Sequence, residues 1–478
     1  MDMTKKMTEG SPAKLIVMFT IPLLIGNIFQ QLYSMVDTLI VGRTLGVNAL
    51  AAVGCTGSIN FLILGFAMGV SAGLAIITAQ RFGAKDEKGV RRSVASGAWI
   101  SLMVTVVLTA VSVPMTRKIL ELLNTPPEII DGAYDYIVII FWGIIACMLF
   151  NFLSNIIRAL GDSRTPLLFL VIACVLNIIL DFAFILGGGM GVAGAAWATI
   201  ISQMVSALLC LWYIKKKLPI LHLTKDDWKV SAWDLKQHFR ISMPMGFQMS
   251  IIAIGAVVLQ FVLNGLGSAA VAAFSAAQRI DQIAGQPMNS FGTTMATYAA
   301  QNYGAGRIDR IKKGVLQCSL ISVGFSIAVG LLNIFAGYQM AGFFVGAGEE
   351  TVQSMAQTYL QINGAMYFVL ALLFIFRFTL QGLGKGVMPT VAGVMELIMR
   401  TFAAVYLTAA VGFAGACWAN PLAWAGACIP LAAAYFLTMR RLSAGNGNAD
   451  SGSVCRKAET KVRGKASSQS YRIPSTLR

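Results

Sequence analysis

Four acidic residues, Asp37, Asp181, Asp281 and Glu396, stand inside otherwise apolar stretches, and three arginines, Arg279, Arg377 and Arg400, accompany them. Where such a stretch crosses a bilayer, a carboxylate near its centre costs ~2.5–3.5 kcal/mol, so each acid marks a functional site by default. Glu396 and Arg400 are four apart with the acid first, the favourable order for an ion pair along one helix. Asp281 lies two from Arg279, which is not a facing spacing. Its partner must come from another helix, with Arg377 the candidate, or it faces a cavity.

Asp37 and Asp181 have no basic residue near them within their own stretches. Gln30, Tyr33 and Asp37 are spaced by three and four and share one helical face, and Asn177 and Asp181 share another. If those faces meet, two carboxylates and an amide converge at low dielectric, and Thr199 supplies a further oxygen. Two acids so placed do not both ionise cheaply, so the pair holds a proton or a metal cation. An all-oxygen set suits a proton or a hard cation such as Na+ rather than zinc or copper. The alternative is two separate acids, each bonded within its own helix or facing water. Pro22, fifteen residues before Asp37, removes a backbone hydrogen bond and predicts a kink or an easy bend.

The elements that carry these residues are membrane spans. Charged residues are 12% of the chain against about 25% in soluble proteins, and hydrophobic residues are 56%. Twelve apolar stretches recur, at roughly 14–41, 49–80, 92–114, 131–157, 166–187, 192–214, 239–263, 270–302, 314–337, 352–381, 387–410 and 414–438. Each reaches the ~20 residues that a helix needs to cross the hydrocarbon core. The expected fold is therefore all-α and integral to the membrane, with 12 transmembrane helices. The first stretch is too long for a signal-peptide core and is expected to remain as the first span. Of the eight cysteines, seven lie in or beside spans and none forms a CxxC pair, so no disulfide or zinc site is implied.

The chain is written twice. GVAGAAWA at residue 191 returns as GFAGACWA at 412, QRFGAKDEKGVRR at 80 as QNYGAGRIDRIKK at 301, and LGDSRTP at 160 as LGKGVMP at 383; Pro22 and Pro244 fall in step. The organisation read from this is a short N-terminus (1–13), an N-lobe (14–215), a linker (216–236), a C-lobe (237–440) and a basic tail (441–478) expected to be disordered. Six spans per copy is an even number, so the copies enter the membrane from the same side as parallel repeats. Such halves enclose a central cleft that opens to either side by rocking, the architecture of an alternating-access transporter. Gly and Ala in the GxAGAxWA phrase let backbones approach, and Trp197 and Trp418 suit an interfacial position.

Charge placement gives sidedness. The net charge of +16 is concentrated in alternate loops: Arg81, Lys85, Lys88, Arg91 and Arg92 in one, Lys215 to Arg240 in another, and Arg307, Arg310, Lys312 and Lys313 in a third. Loops on the opposite side hold only Arg43, Arg117 and Lys118. This bias places both termini in the cytoplasm of a cell-membrane protein and excludes nucleic acid as a partner. The expected partners are small-molecule substrates and the lipid bilayer, with no obligate protein partner evident.

Taken together, the first-span run IPLLIGNIFQQLYSMVDTLIVGRTLG, the QxxGA phrases at Gln80 and Gln301, LGDSRTP and the GxAGAxWA pair resemble the multidrug and toxic compound extrusion (MATE) family. The resemblance covers nearly all of residues 12–440. It implies two six-helix lobes around a cleft, exporting bulky, often cationic and aromatic compounds against inward flow of H+ or Na+, with no other cofactor. In the DinF-like and archaeal branches the cation site lies in the N-lobe. Carried over, it corresponds here to Asp37, Asn177, Asp181 and Thr199, with Tyr33, Gln30 and Tyr136 nearby. Another branch adds a Glu in the seventh span and an Asp in the tenth; this chain has neither.

Candidates for substrate contact are Gln248, Met249, Gln278, Asp281, Gln282, Met288 and Asn289, with Met243 and Met245, since flexible thioethers suit a promiscuous cavity. Methionines facing lipid or core are the competing explanation. The rival function is export of a lipid-linked or lipid-like molecule. GAKDEKGVRR resembles the loop signature of sugar transporters, but its acid and second glycine are out of step. No His pair, Ser/His/Asp set or phosphate-binding loop supports an enzyme; His222 and His238 fall in or beside the linker and are expected in solvent.

Overall fold

The computed structural model describes residues 6–123, 125–345 and 349–445. Every regular element among them is helical. The N-lobe contains α1 (Pro12–Leu45), α2 (Val47–Cys55), α3 (Gly57–Gly83), α4 (Glu87–Leu122), α5 (Pro127–Trp142), α6 (Ile144–Ala159), α7 (Arg164–Asp181) and α8 (Gly191–Lys217). The C-lobe contains α9 (Ala232–Asn264), α10 (Ser268–Gly304), α11 (Ile308–Val345), α12 (Glu350–Gly382), α13 (Val387–Phe402), the short α14 (Thr408–Val411) and α15 (Phe413–Cys417), and α16 (Ala419–Gly445). The tail expected beyond residue 440 lies outside the described residues from 446 on.

Among the described residues, ten helical units are long and apolar enough to cross a membrane, and the pair α5 and α6, bent by 46° at Gly143, makes an eleventh. The twelfth is α10, 37 residues long, whose polar run from Gln278 to Gln282 lowers its apolarity. Large side chains such as Phe261 (78% exposed) and Phe343 (88%) point outward, as a lipid-facing surface requires. Small residues line the inside, where helices in lipid gain by close backbone approach.

The two copies repeat in detail. Gly46 and Gly267, at φ of 86° and 94°, turn the chain before the second span of each lobe. A π-helical turn follows α7 at Phe182–Gly187 and α13 at Ala403–Leu407. Gly194 packs against Phe184 in the first turn, and Gly415 against Leu407 in the second. The GxAGAxWA phrase is thus a packing device, and Trp197 and Trp418 stay exposed. One difference is that the second span of the N-lobe breaks at Thr56, whereas α10 runs unbroken.

The lobes join at the basic end of the bundle. Gln80 Nε2 donates to the carbonyl of Gly382 at 2.8 Å, and Gln301 Nε2 donates to the carbonyl of Ala159 at 2.8 Å. Reciprocally, a Cβ on Gly83 would collide with the Gln301 carbonyl, and one on Gly304 with the Gln80 carbonyl. The QxxGA phrases are therefore the two halves of one pseudo-symmetric contact. The N-terminal segment adds to it, since the Met7 N–H donates to Gln301 Oε1 at 2.9 Å and Arg307 donates to the Thr8 carbonyl at 2.7 Å. The cores at this end are shared, with Ile241, Met245, Ala296 and Ala300 of the C-lobe packed among N-lobe residues. Toward the other end the cores part, one drawn entirely from N-lobe residues and one entirely from C-lobe residues.

His238 departs from expectation. Helix α9 starts at Ala232, inside the span assigned to the linker, and buries His238 completely, with Ser93 Oγ at 2.8 Å and the Asp234 carbonyl at 2.7 Å from its ring nitrogens. Arg81 pairs with Asp234 at 2.6 Å and Arg91 with Asp227 at 3.4 Å, so the linker is docked onto the N-lobe. His222 is exposed as expected.

Candidate cation site in the first lobe

The two unpaired acids meet. Asp37 on α1 and Asp181, the last residue of α7, are 8% and 0% exposed, and their carboxyl groups lie within hydrogen-bond reach of each other. The π turn begins at the residue after Asp181, a local geometry that recurs at functional sites. Asn177, one turn earlier, is fully buried. In the orientation that satisfies both neighbours, its Nδ2 donates to Asp181 Oδ2 at 2.9 Å and its Oδ1 accepts from the Thr199 backbone N–H at 3.1 Å. The hydroxyls of Thr199 and Tyr33 bond at 3.1 Å.

One oxygen of each acid, Oδ1 in both cases, is buried without a protein donor, and so is Oδ1 of Asn60. Buried acceptors left in this state cost about 1–3 kcal/mol each, more where charged, and call for a proton or a cation. A cavity of about 130 Å³ adjoins Asp37 and Asn60, lined by Tyr33, Asp37, Asn60, Tyr136, Thr199 and Gln203 among others, with no basic residue in its lining; Asp181 lies behind Asp37 and does not line it. It admits an ion and a few waters but is well below the ~300 Å³ of a drug-sized pocket. The bend at Gly143 contributes to its wall. The donor set of two carboxylates, an amide and hydroxyls is all oxygen, which fits H+ or a hard cation such as Na+.

The structure brings Tyr33, Asp37, Tyr136, Asn177, Asp181 and Thr199 together; spacing places only Tyr33 with Asp37 and Asn177 with Asp181 on shared faces, and Tyr136 follows from the family resemblance. Gln30 is not: it is exposed and lines no part of the cavity. Pro22 is buried in α1, which continues as one helix through it. Asn60 and Gln203 join the site without having been singled out. The signals were a lone amide in an apolar span and an amide four residues after Thr199.

In the C-lobe, the Glu396–Arg400 pair forms as its spacing predicts, at 3.0 Å, and Arg377 reaches the other oxygen of Glu396 at 2.6 Å. Arg377 is therefore not the partner of Asp281. Asp281 instead accepts from the Tyr367 hydroxyl at 2.7 Å and the Tyr359 hydroxyl at 3.5 Å, both presented by α12 two turns apart. Arg377 lies ten residues farther along that helix, about 15 Å away, where α13 supplies Glu396.

The substrate candidates disperse. Met288 is fully buried in the core, and Met245 is nearly so. Gln248 is buried and accepts from Gln381 at 3.0 Å. Met249 faces Gly65 across the lobe junction. Gln278 and Asn289 are half-buried, and Gln282 is exposed.

Twelve spans in two repeated six-span lobes, with a buried acid on an ion-sized cavity, are the architecture of a membrane transporter. The chain belongs to the MatE family, whose sequence profile matches residues 22–183 and 244–437. It is 35% identical over 306 residues to the probable multidrug resistance protein YpnP of Bacillus subtilis, covering 64% of this chain and 68% of that one. It is 23% identical to the multidrug export protein MepA of Staphylococcus aureus, covering 86% and 90% of the two chains. Its fold matches the outward-facing structure of a multidrug resistance MATE family transporter of the MOP superfamily, with a TM-score of 0.84 at 24% identity over 92% of this chain and 98% of that one.

Proposed function

We propose that the protein is a cation-coupled antiporter of the cell membrane that exports bulky, cationic or aromatic compounds by alternating access, with both termini cytoplasmic. The observation that carries the coupling is the buried Asp37–Asp181 pair, in which each acid keeps one oxygen without a protein donor and Asp37 lines the ion-sized cavity. The names of the curated relatives support drug export. A proton or Na+ entering the pair relieves the repulsion between two buried carboxylates, and its departure restores that repulsion.

Helix α1 links this event to the lobes. It is bonded to α10 through Thr20–Thr294 at 2.8 Å and Asn27–Ser290 at 3.0 Å, and Asn27 is ten residues, about 15 Å, below Asp37. A change in the charge of the pair therefore acts on a helix that is itself part of the lobe junction. The junction at the basic end and the parted cores at the other support a cleft closed at the basic end, which this reading assigns to the cytoplasm, and open at the opposite end.

The test is efflux of a cationic aromatic dye from proteoliposomes, with a pH or a Na+ gradient imposed separately. Wild type is expected to export under one gradient, and Asp37→Asn to lose at least nine-tenths of that flux (roughly tenfold, ~1.4 kcal/mol) while remaining folded and inserted. Full export by both Asp37→Asn and Asp181→Asn would remove the site. No flux under either gradient from folded wild type would favour a lipid or lipid-linked substrate.

A further inference from the structure

The C-lobe carries a counterpart of the N-lobe site in which every key position has been rewritten. The repeats superimpose in sequence at 221 residues for the second and sixth spans, 222 for the first and 223 for the fourth and fifth, anchored by Gly46 with Gly267, Gly194 with Gly415, Pro22 with Pro244, and Pro166 with Pro389. Contacts confirm this register. Gly26 packs on Leu170, and their counterparts Gln248 and Gly393 pack on each other.

In this register Asp37 corresponds to Leu259 and Asp181 to Ala404, so both acids are gone. Asn60 corresponds to Asp281, Tyr136 to Tyr359, and Thr199 to Asn420. The polar scaffold persists: Asn420 Nδ2 donates to the Tyr359 hydroxyl at 3.1 Å, and that hydroxyl reaches Asp281. The decisive changes are Asn177 to Arg400 and Tyr33 to Gly255. A Cβ on Gly255 would lie 2.8 Å from Arg400 Nη1, so the glycine opens the space that the guanidinium fills.

Charge follows the same logic. The N-lobe site holds two acids and no base. Its counterpart holds Asp281, with Arg400 at the position of Asn177 tied through Glu396 to Arg377 farther along α12, and both arginines are at least nine-tenths buried. In the N-lobe the buried atoms without a protein partner include carboxylate oxygens, which are acceptors. Around Arg400 they include the Nε donors of Arg377 and Arg400.

We propose that Arg400 is a tethered cation: its guanidinium permanently fills the C-lobe counterpart of the N-lobe ion site, so only one lobe of each chain exchanges ions. The inference rests on the N-lobe reading above and adds what silences the second copy. It makes Arg400 and Gly255 determinants of coupling stoichiometry, positioned away from the exchanging acids.

Two measurements test it. Arg400→Ala is expected to lose gradient-driven export roughly tenfold or more, since it empties the space the guanidinium fills and strips Glu396 of one of its two arginines, and methylguanidinium at non-denaturing concentration should restore most of the export and the melting temperature. Arg400→Lys should retain at least half of the export. Separately, Asp37→Asn/Asp181→Asn should show no shift of melting temperature with Na+, choline serving as control, and adding Arg400→Asn to that background should create one. An Arg400→Ala protein that methylguanidinium neither recovers nor restores, or an added Arg400→Asn that confers no cation response, would reduce Arg400 to a structural cross-link and overturn the inference. A cation response that survives in Asp37→Asn/Asp181→Asn would instead sink the N-lobe reading, and the methylguanidinium experiment would still decide the role of Arg400.

Discussion

The chemistry of this protein is set by atoms that lack partners. Asp37 Oδ1, Asp181 Oδ1 and Asn60 Oδ1 are buried acceptors with no protein donor, whereas the other acidic site, Asp281, receives two tyrosine hydroxyls. The difference separates the proposed exchanging site from a satisfied one. Tyr33 holds Thr199 through their shared hydrogen bond and so orients one oxygen of the donor set. Tyr33→Phe removes that bond, for which the net worth is ~1 kcal/mol, and is expected to weaken binding of the coupling ion about fivefold with little change in fold. Ion-dependent protection from thermal unfolding is the measurement, and an unchanged midpoint concentration would place Tyr33 outside the site.

At the level of helices, the repeated phrases are the places where one lobe touches the other. Gly83 at the end of α3 and Gly304 at the end of α10 each approach a carbonyl across the junction where no Cβ fits. Gly83→Ala or Gly304→Ala should destabilise the conformation closed at the basic end by about 1–3 kcal/mol, as overpacking does elsewhere. Ser242 is buried where α9 packs on Gly73 of α3. A cysteine introduced there should therefore react with maleimide faster in the Gly83→Ala background, and equal rates in both backgrounds would show that the junction tolerates the methyl group. Helix α10 packs against α1, α3, α11 and α12, and it is the least apolar span because its polar run carries the exposed Arg279 and Gln282.

For the whole molecule, two parallel repeats of six spans require that equivalent ends of both lobes face one side of the membrane. In the proposed topology the end where Lys and Arg are concentrated faces the cytoplasm. On intact cells, a membrane-impermeant maleimide is expected to label Lys118→Cys and to spare Lys85→Cys, both exposed positions at opposite ends of α4 and its preceding turn. Labelling of Lys85→Cys from outside would invert the topology and with it the direction assigned to the cleft.

The amino-acid sequence by itself determined the membrane class, the duplication, the six-plus-six organisation and the pairing of Glu396 with Arg400, because these depend on composition, on register between copies and on spacing along one helix. It also placed Asp37 with Tyr33 and Asp181 with Asn177 on single faces. Only the tertiary structure decided which faces meet. Helical periodicity sets which residues share a stripe, but the azimuth of each helix and the identity of its neighbours follow from packing between segments far apart in the chain. That is why Arg377 went to Glu396 and Asp281 to the tyrosines of α12, why Gln30 was left outside the cavity while Asn60 and Gln203 entered it, and why His238 was buried. The equivalence of Arg400 with Asn177 emerged for the same reason: it required contacts that fix the register of the two lobes, where local spacing shows only an arginine four residues after a glutamate.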